Sequence, residues 1–173
     1  MKFFSENLDN LRKLYINQLQ MLLSTEEQIT EALPKMIEKA TDPDLKNAFQ
    51  THLQETRGHV SRLKQILNEV TGEAKSIKCK ALAALVTEAE DMIKDATDES
   101  VRDAALITAA QRVEHYEMAV YGSLAAFAQQ LGYSEAANLI RQTLEEEKAA
   151  DAKLTRIAES AVNPQAEQER RAA

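Results

Sequence analysis

The apolar positions along this chain recur at intervals of three and four residues, the period of amphipathic α-helices. The pattern predicts helices over residues 5–40, 43–70, 78–94, 100–131 and 134–161. Only 4 Gly and 3 Pro are available for turns, and Ala, Leu, Glu, Lys and Gln are abundant. These are strong helix-forming residues, so the expected fold class is all-α.

The breaks between the helical segments carry recognisable start and stop signals. Asp42 can cap a helix whose first residue is Pro43, and Gly72 and Gly132 suit helix ends. Pro34 lies inside the first segment, where we expect it to kink the helix or to end it one turn early.

Segment 78–94 is short and is best explained as a crossover between two long helical hairpins. Two antiparallel hairpins with one long connection form a ferritin-like four-helix bundle, so an extra short crossover helix is expected. Residues 1–161 would form this single bundle. Residues 162–173 are polar and lack an apolar period, so we expect a flexible C-terminal tail.

Composition narrows the function classes. At 173 residues the chain suits one domain, and its formal charge of -7 argues against nucleic acid or an anionic membrane as a partner. Cys79 is the single cysteine, so neither a disulfide nor a thiolate metal site can form within one chain. With no transmembrane run and no signal peptide in the sequence, we expect a cytoplasmic protein.

Carboxylates interrupt the apolar stripe on four of the predicted helices. An ionised carboxylate that faces a core is costly unless it is paired or binds a metal, and several together repel one another. A site for two metal ions is therefore predicted. Its candidate ligands are Glu26; Glu55 with His52 and His59; Glu114 with Glu117; and Glu147 with Asp151.

Helical geometry places the polar groups of the second helix on one side. With His52 at zero, Glu55 falls at about −60° and His59 at about −20°. Carboxylates with one or two imidazoles suit iron or manganese and, less well, zinc. The usual Glu-x-x-His spacing of di-iron bundles is absent, because Gly58 and Ala150 stand at the histidine positions.

The ligand set therefore stays open at this point. His52 and His59 could instead be packed histidines that hydrogen-bond across helices. Glu114 and Glu117 could be surface residues if the helix is rotated so that His115 points inward. Glu145 and Glu146 are assigned to a solvated face.

Several stretches within residues 8–160 resemble a known family. They are Glu26-Glu27-Gln28 with Ala32-Leu33-Pro34-Lys35; His52-Leu53-Gln54-Glu55-Thr56; Val101-Arg102-Asp103-Ala104-Ala105-Leu106-Ile107; Val113-Glu114-His115-Tyr116-Glu117; and Leu144-Glu145-Glu146-Glu147-Lys148. The chain resembles the bacterial YciE/YciF family of ferritin-like stress proteins. This resemblance implies a rubrerythrin-like bundle, homodimerisation and a di-iron centre; rubrerythrin has two glutamates similar to Glu114 and Glu117.

The function expected from these observations is the handling of iron or oxidants. The leading hypothesis is Fe(II) oxidation by oxygen or peroxide, as in a ferroxidase- or peroxidase-like di-iron oxidoreductase. Glu55 or Glu114 would bridge the two metals, with Glu26 and Glu147 as terminal ligands. The alternatives are a non-enzymatic stress or structural homodimer, whose metal site only stabilises the bundle, and iron storage in a shell.

Overall fold

The computed structural model describes residues 7–172 of the chain, which form helices and no strand. The long helices are α1 (Leu11–Lys39), α2 (Pro43–Thr71), α4 (Glu99–Gln130) and α5 (Ser134–Ile157), with the shorter α3 (Lys80–Asp95) between the two pairs. A helix α6 (Asn163–Ala172) follows a π-helical turn over Ala158–Val162. The predicted all-α bundle with a crossover helix is confirmed.

Most helix ends have the local chemistry expected from the sequence. The Asp42 carboxylate accepts a hydrogen bond from the Leu45 N–H at 2.8 Å, which caps α2 directly before Pro43. Gly72 and Gly132 have φ values of 83° and 81°, a left-handed conformation that favours glycine. These residues stop α2 and α4 and allow the chain to reverse.

The first helix differs from the prediction at its start, and it passes through Pro34 without a break. It begins at Leu11, where the Asn10 side chain caps it, whereas the predicted start at residue 5 lies outside the described residues. Of the two predicted effects of Pro34, an end one turn early is excluded, because α1 continues to Lys39. Tertiary packing of the helix therefore outweighs the unfavourable proline.

The C-terminal segment, predicted as a flexible tail over residues 162–173, is helical over most of its length. After the π-helical turn the chain forms α6 up to Ala172, and Ala173 lies outside the described residues. Val162 is fully buried in the core, and α6 packs against α4. A single buried apolar side chain thus stands at the start of this polar segment, where a helical apolar period is absent.

The four long helices pack as a closed bundle. α1 lies along α2 and α4 lies along α5, while contacts of α1 with α4 and of α2 with α5 complete the ring. α3 crosses the outside of the α1–α4 pair. Each pair is joined by a connection of a few residues, which makes its two helices antiparallel.

The hydrophobic core of the bundle is divided into two clusters. The first cluster surrounds Leu33, Phe49 and Leu106, near the turn between α1 and α2. The second surrounds Tyr15, Leu22, Leu63 and other apolar residues toward the opposite end. Each long helix carries polar side chains at the level between the two clusters, and these side chains form the site described below.

A buried carboxylate ties the two hairpins together at one end. Asp103 of α4, with 2% of its surface exposed, accepts hydrogen bonds from the Thr41 N–H at 2.9 Å and from the Thr41 hydroxyl at 2.6 Å. It also accepts one from the Asp42 N–H at 2.7 Å. The connection between α1 and α2 is thereby anchored to the start of α4.

We predict that Asp103→Ala lowers the free energy of unfolding by about 2 kcal/mol or more, because it removes the charged acceptor of several hydrogen bonds. Urea denaturation measures this change. Asp91→Ala on the exposed surface of α3 is the matched control and should change the stability by less than about 0.5 kcal/mol. Equal effects of the two substitutions would contradict an anchoring role for Asp103.

Candidate metal centre

Six ionisable side chains from the four long helices meet in the middle of the bundle. Every one of them is buried, although isolated Glu and His residues rarely are. α2 and α4 each contribute two of them, and α1 and α5 one each. They are Glu26, His52, His59, Glu114, Glu117 and Glu147.

The apolar neighbours of these residues explain why the helices turn them inward. Leu23 and Ile29, three residues to either side of Glu26, are buried in the two core clusters. Leu63 lies one turn after His59, and it too is buried. Since residues three or four apart share a helix face, burial of the apolar positions forces the polar ones into the interior.

The six side chains form two groups that could each hold a metal ion. In each group one possible ligand atom per residue lies within 4.8 Å of the others, and Glu147 belongs to both groups. The first group is His52, Glu114, Glu117 and Glu147; the second is Glu26, His59 and Glu147. A carboxylate that lies between two ion positions can bind both ions, one through each oxygen.

Most of the inward-facing atoms have no hydrogen-bond partner. Both carboxylate oxygens of Glu117 and of Glu147 are buried and without a donor, as is one oxygen each of Glu26 and Glu114. His59 Nδ1 lies 2.9 Å from Glu147 Oε1, yet the two atoms are not aligned as a hydrogen bond. Buried polar atoms in native proteins are normally satisfied, so this convergence fits bound cations.

Burial opposes the ionisation of the carboxylic acids in this site. It raises the pKa of Glu114 and of Glu117 well above the usual range, and neighbouring carboxylates add to the effect at Glu117. Burial likewise raises the pKa of Glu26. Without metal, protons therefore take the place of cations on part of this set.

At the two histidines burial acts in the opposite direction, but the neighbouring carboxylates outweigh it. Burial alone would lower the pKa of His52, but Glu55, Glu114 and Glu147 together raise it to about 9. His59 is also opposed by burial, and Glu147 and Glu26 raise its pKa to about 10. Both imidazoles are therefore protonated at neutral pH in the metal-free protein, and metal binding requires the loss of the proton that faces the site.

The charges of the assembled site match two divalent ions. Glu26, Glu114, Glu117 and Glu147 supply four negative charges when ionised, and neutral imidazoles add none. Two divalent cations supply four positive charges. This balance permits a low-dielectric interior in which neither the carboxylates nor the ions are left uncompensated.

His59 is held from outside the site by a network that the sequence interpretation did not identify. Its Nε2 lies 2.9 Å from Glu146 Oε2, while Nδ1 faces Glu147 and Glu26. Two nitrogens of the Arg62 guanidinium donate to Glu146 at 2.5 and 3.0 Å, which is a bidentate pair.

Glu146 therefore does not lie on a purely solvated face as the sequence predicted: its side chain is 28% exposed. Burial would raise its pKa, but hydrogen bonds from Arg62, Gln142 and His59 lower it to about 2. The sequence does contain one signal for this role of Glu146. Arg62 stands three residues after His59 on the same face of α2, and its positive charge needs an acidic partner there. An outer carboxylate of this kind fixes the orientation of a metal-binding histidine.

His52 has a similar arrangement with Glu55. Its Nε2 faces the site, 3.3 Å from Glu114 Oε1, and its Nδ1 lies 3.5 Å from Glu55 Oε2. The Glu55 side chain is 40% exposed and belongs to neither metal group. The structure thus places this predicted ligand behind His52, because its position on the α2 helix is rotated toward the surface.

Asp151, predicted as a ligand together with Glu147, also lies outside both groups. Its carboxylate accepts a hydrogen bond from the Gln111 amide at 3.0 Å and lies 3.5 Å from His115 Nε2. The His115 side chain is 67% exposed, whereas Glu114 and Glu117 are buried. The alternative in which α4 turns His115 inward therefore does not hold.

Tyr121 closes the site toward the second core cluster. Its hydroxyl donates a hydrogen bond to Glu26 Oε1, and the ring is fully buried. Burial, with the neighbouring carboxylates, raises the pKa of Tyr121 well above its usual value of 10.0. The phenol therefore stays protonated and serves as a fixed donor to Glu26.

The opposite side of the site is open. A cavity of about 910 Å³ is lined by His52, Glu55 and Glu114, whereas Glu26, His59 and Glu117 do not reach it. The two metal groups consequently differ in access: the group that contains His52 borders the cavity, and the group that contains His59 is enclosed.

Comparison with known proteins identifies the family. Residues 10–167 match the family described as a domain of unknown function, DUF892. The chain belongs to this family. One relative of this chain is Protein YciF of Escherichia coli K12. The two are 45% identical over 162 residues, which cover 93% of this chain and 98% of YciF.

Solved structures agree with this assignment. The crystal structure of the E. coli stress protein YciF superposes with a TM-score of 0.85 at 44% identity, covering 90% of this chain and 98% of that one. YcfI of Rhodopseudomonas palustris is described as a proposed structural protein. Its structure superposes with a TM-score of 0.85 at 39% identity, covering 88% of this chain and 98% of YcfI. The resemblance noted from the sequence is confirmed.

A more distant protein from Xanthomonas campestris pv. campestris shares the fold. Its TM-score is 0.73 at 21% identity, and the match covers 93% of this DUF892 chain and 99% of the other protein. In this DUF892 chain, no helix within residues 7–172 combines the length and apolar character that a membrane span requires.

We predict that Glu146→Gln weakens metal binding by about 10- to 100-fold, because His59 loses its outer carboxylate. Competition titration of the metal-free protein with Mn(II) and a coloured chelator measures the affinity. Glu145→Gln, one residue away and paired with Lys148 on the exposed surface, is the control and should bind like the wild type. An unchanged Mn(II) affinity of the Glu146→Gln protein would contradict the positioning role of Glu146.

Proposed function

We propose that this DUF892 protein binds two divalent transition-metal ions, with iron as the natural metal, and oxidises Fe(II) with oxygen or peroxide under stress. The observation that carries the proposal is the convergence of buried, unpartnered carboxylate and imidazole atoms in two groups that share Glu147. Carboxylate-rich sites with one or two imidazoles favour iron or manganese, and zinc is the less suitable alternative.

The geometry supports specific roles for the residues. Glu147 would bridge the two ions, in place of the terminal role given to it from the sequence. His52, Glu114 and Glu117 would hold the ion beside the cavity, and Glu26 and His59 would hold the enclosed ion. Glu55, expected as a bridge from the sequence, would instead orient His52.

Two bound ferrous ions would supply the two electrons that reduce a peroxide. The protein would contribute positioning, charge balance and exclusion of water. Tyr121 holds a proton against Glu26 on the enclosed side, and the Glu146–Arg62 pair keeps the inner nitrogen of His59 directed at the site. The oxidant would reach the site through the cavity beside His52 and Glu114.

The relatives favour a role in stress and leave a second candidate function. YciF is described as a stress protein, which supports the protective use of an iron site. YcfI is described as a proposed structural protein, and a site that joins all four long helices would suit a structural metal. Homodimerisation and a cytoplasmic location stay predictions from the sequence.

The metal hypothesis predicts opposite effects of one substitution on stability and on binding. Glu117→Met should stabilise the metal-free bundle by about 1–4 kcal/mol, because it removes a buried carboxyl group with no partner. The same variant should lose high-affinity binding of Fe(II) or Mn(II). Thermal unfolding with and without metal, together with elemental analysis, measures both quantities.

For the wild type, saturating metal should raise the melting temperature, because a ligand that binds only the native state stabilises it. The exposed Glu145→Met variant is the control and should keep this response. The proposed metal site would be contradicted if the wild-type protein retains no metal after loading with iron and manganese and its melting temperature does not change.

If the protein is an enzyme, its bound Fe(II) should react with peroxide at an increased rate. Protein loaded with Fe(II) under anaerobic conditions should consume added peroxide faster than the same concentration of free Fe(II). Glu114→Ala should lose most of this acceleration, because the ion beside the cavity loses a ligand, while circular dichroism shows an intact helical fold. If wild type and Glu114→Ala react equally fast and both retain metal, the structural function replaces the enzymatic one.

A further inference from the structure

The cavity beside the candidate metal centre is much larger than the site itself requires. Its volume of about 910 Å³ is at the upper end of the range for small-molecule pockets, about 300–1,000 Å³. A single water molecule or diatomic gas needs only about 30 Å³. The size therefore points to a substantial organic ligand rather than to a channel for oxygen alone.

The cavity is elongated along the bundle. Both Arg102 and Glu114 of α4 line it, and twelve residues of α-helix separate them. At 1.5 Å per residue, the two positions are about 18 Å apart. Apolar side chains line the space between these ends; they include Leu33, Met36, Phe49, Val86, Ile93 and Val113.

Three basic side chains stand at the end of the cavity farthest from the metal centre, and one of them, Arg102, also lies 3.8 Å from the exposed Glu99 carboxylate. Lys39 at the end of α1, Lys94 at the end of α3 and Arg102 at the start of α4 line this end together. The Arg102 Nε donates a hydrogen bond to the Lys39 carbonyl at 3.3 Å, which brings two of these chain ends into contact. Lys39 and Lys94 are exposed, so their ammonium groups can meet an anion at the opening.

We propose that this cavity binds one long-chain carboxylate, of the fatty-acid class, with its carboxylate at Lys39, Lys94 and Arg102 and its alkyl chain extending toward Glu114. The apolar wall would bury the chain, and the basic end would pair with the head group. This binding site is independent of the proposed metal chemistry and does not require bound metal.

The distribution of apolar side chains favours a small molecule over a protein partner. Among the described residues, Leu8 and Val101 are the large hydrophobic side chains that are strongly exposed, and neither lines the cavity. The apolar residues of the cavity are instead buried or partly buried within a concave space. A second protein chain would need a broad exposed apolar surface, whereas an alkyl chain can enter this space.

The direct test is calorimetric titration of the metal-free full-length protein with dodecanoate below its micelle concentration. We expect saturable binding of one molecule per chain. Hexanoate should bind about a hundredfold more weakly or worse, because each methylene that leaves water contributes to affinity. Binding that does not depend on chain length, or is not saturable, would overturn the proposal.

Two variants test the orientation of the ligand. Lys94→Glu combined with Arg102→Glu should weaken dodecanoate binding by about tenfold or more, since the head group then faces like charges. Ala110→Leu should weaken dodecanoate more than hexanoate, because it fills the cavity near Glu114. Lys80→Glu, on the exposed start of α3 and outside the cavity, is the charge control and should bind like the wild type.

An anionic lipid bilayer also presents alkyl chains and negatively charged head groups, so it is the alternative ligand to a free fatty acid. Vesicles of anionic phosphatidylglycerol should not bind the protein, because the apolar surface lies inside the cavity rather than on an exposed face. Vesicle binding with no affinity for free dodecanoate would overturn the assignment, as would full dodecanoate binding by the Lys94→Glu/Arg102→Glu protein. Thermal unfolding of each variant verifies that it is folded.

Discussion

The mutual repulsion of four buried carboxylates is the constraint that organises this bundle. Glu26, Glu114, Glu117 and Glu147 come from three helices and meet where an ordinary bundle would place leucine. Two apolar clusters, one on either side of this level, supply the burial that holds the helices together. The fold thus tolerates an unfavourable polar layer because hydrophobic packing above and below it is extensive.

The same layer is ordered by a second set of charges nearer to the surface. Glu146 contacts the outer nitrogen of His59, and Glu55 lies behind the outer nitrogen of His52. Each histidine is therefore placed between an inner carboxylate and an outer one. This arrangement fixes which nitrogen faces the interior, and it lets partly exposed residues control the geometry of buried ones.

The sequence predicted the helices and the inward carboxylates because both depend on one local pattern. Glu26, Glu114, Glu117 and Glu147 stand one turn from apolar neighbours, so helical periodicity alone places them inside. Glu55 is different: an offset of about 60° from His52 puts it at the border of the buried face, where packing of the neighbouring helix decides its exposure.

The remaining features depend on contacts between distant segments. Glu146 takes its role from Arg62 and His59 of another helix, a pairing with 84 and 87 residues of separation. α6 is stabilised by burial of Val162 against helices whose positions are set elsewhere in the chain. The cavity is likewise a gap left by five helices, and no local pattern of residues encodes such a gap.

The shared position of Glu147 has a consequence for how the site fills. Because this residue belongs to both groups, an ion in the enclosed group would fix the Glu147 carboxylate in one rotamer and remove its unfavourable contact with the neighbouring acids. A second ion would then meet a Glu147 carboxylate that is already oriented. Occupancy of the two positions would therefore be coupled through Glu147, and by thermodynamic linkage each ion would change the affinity for the other.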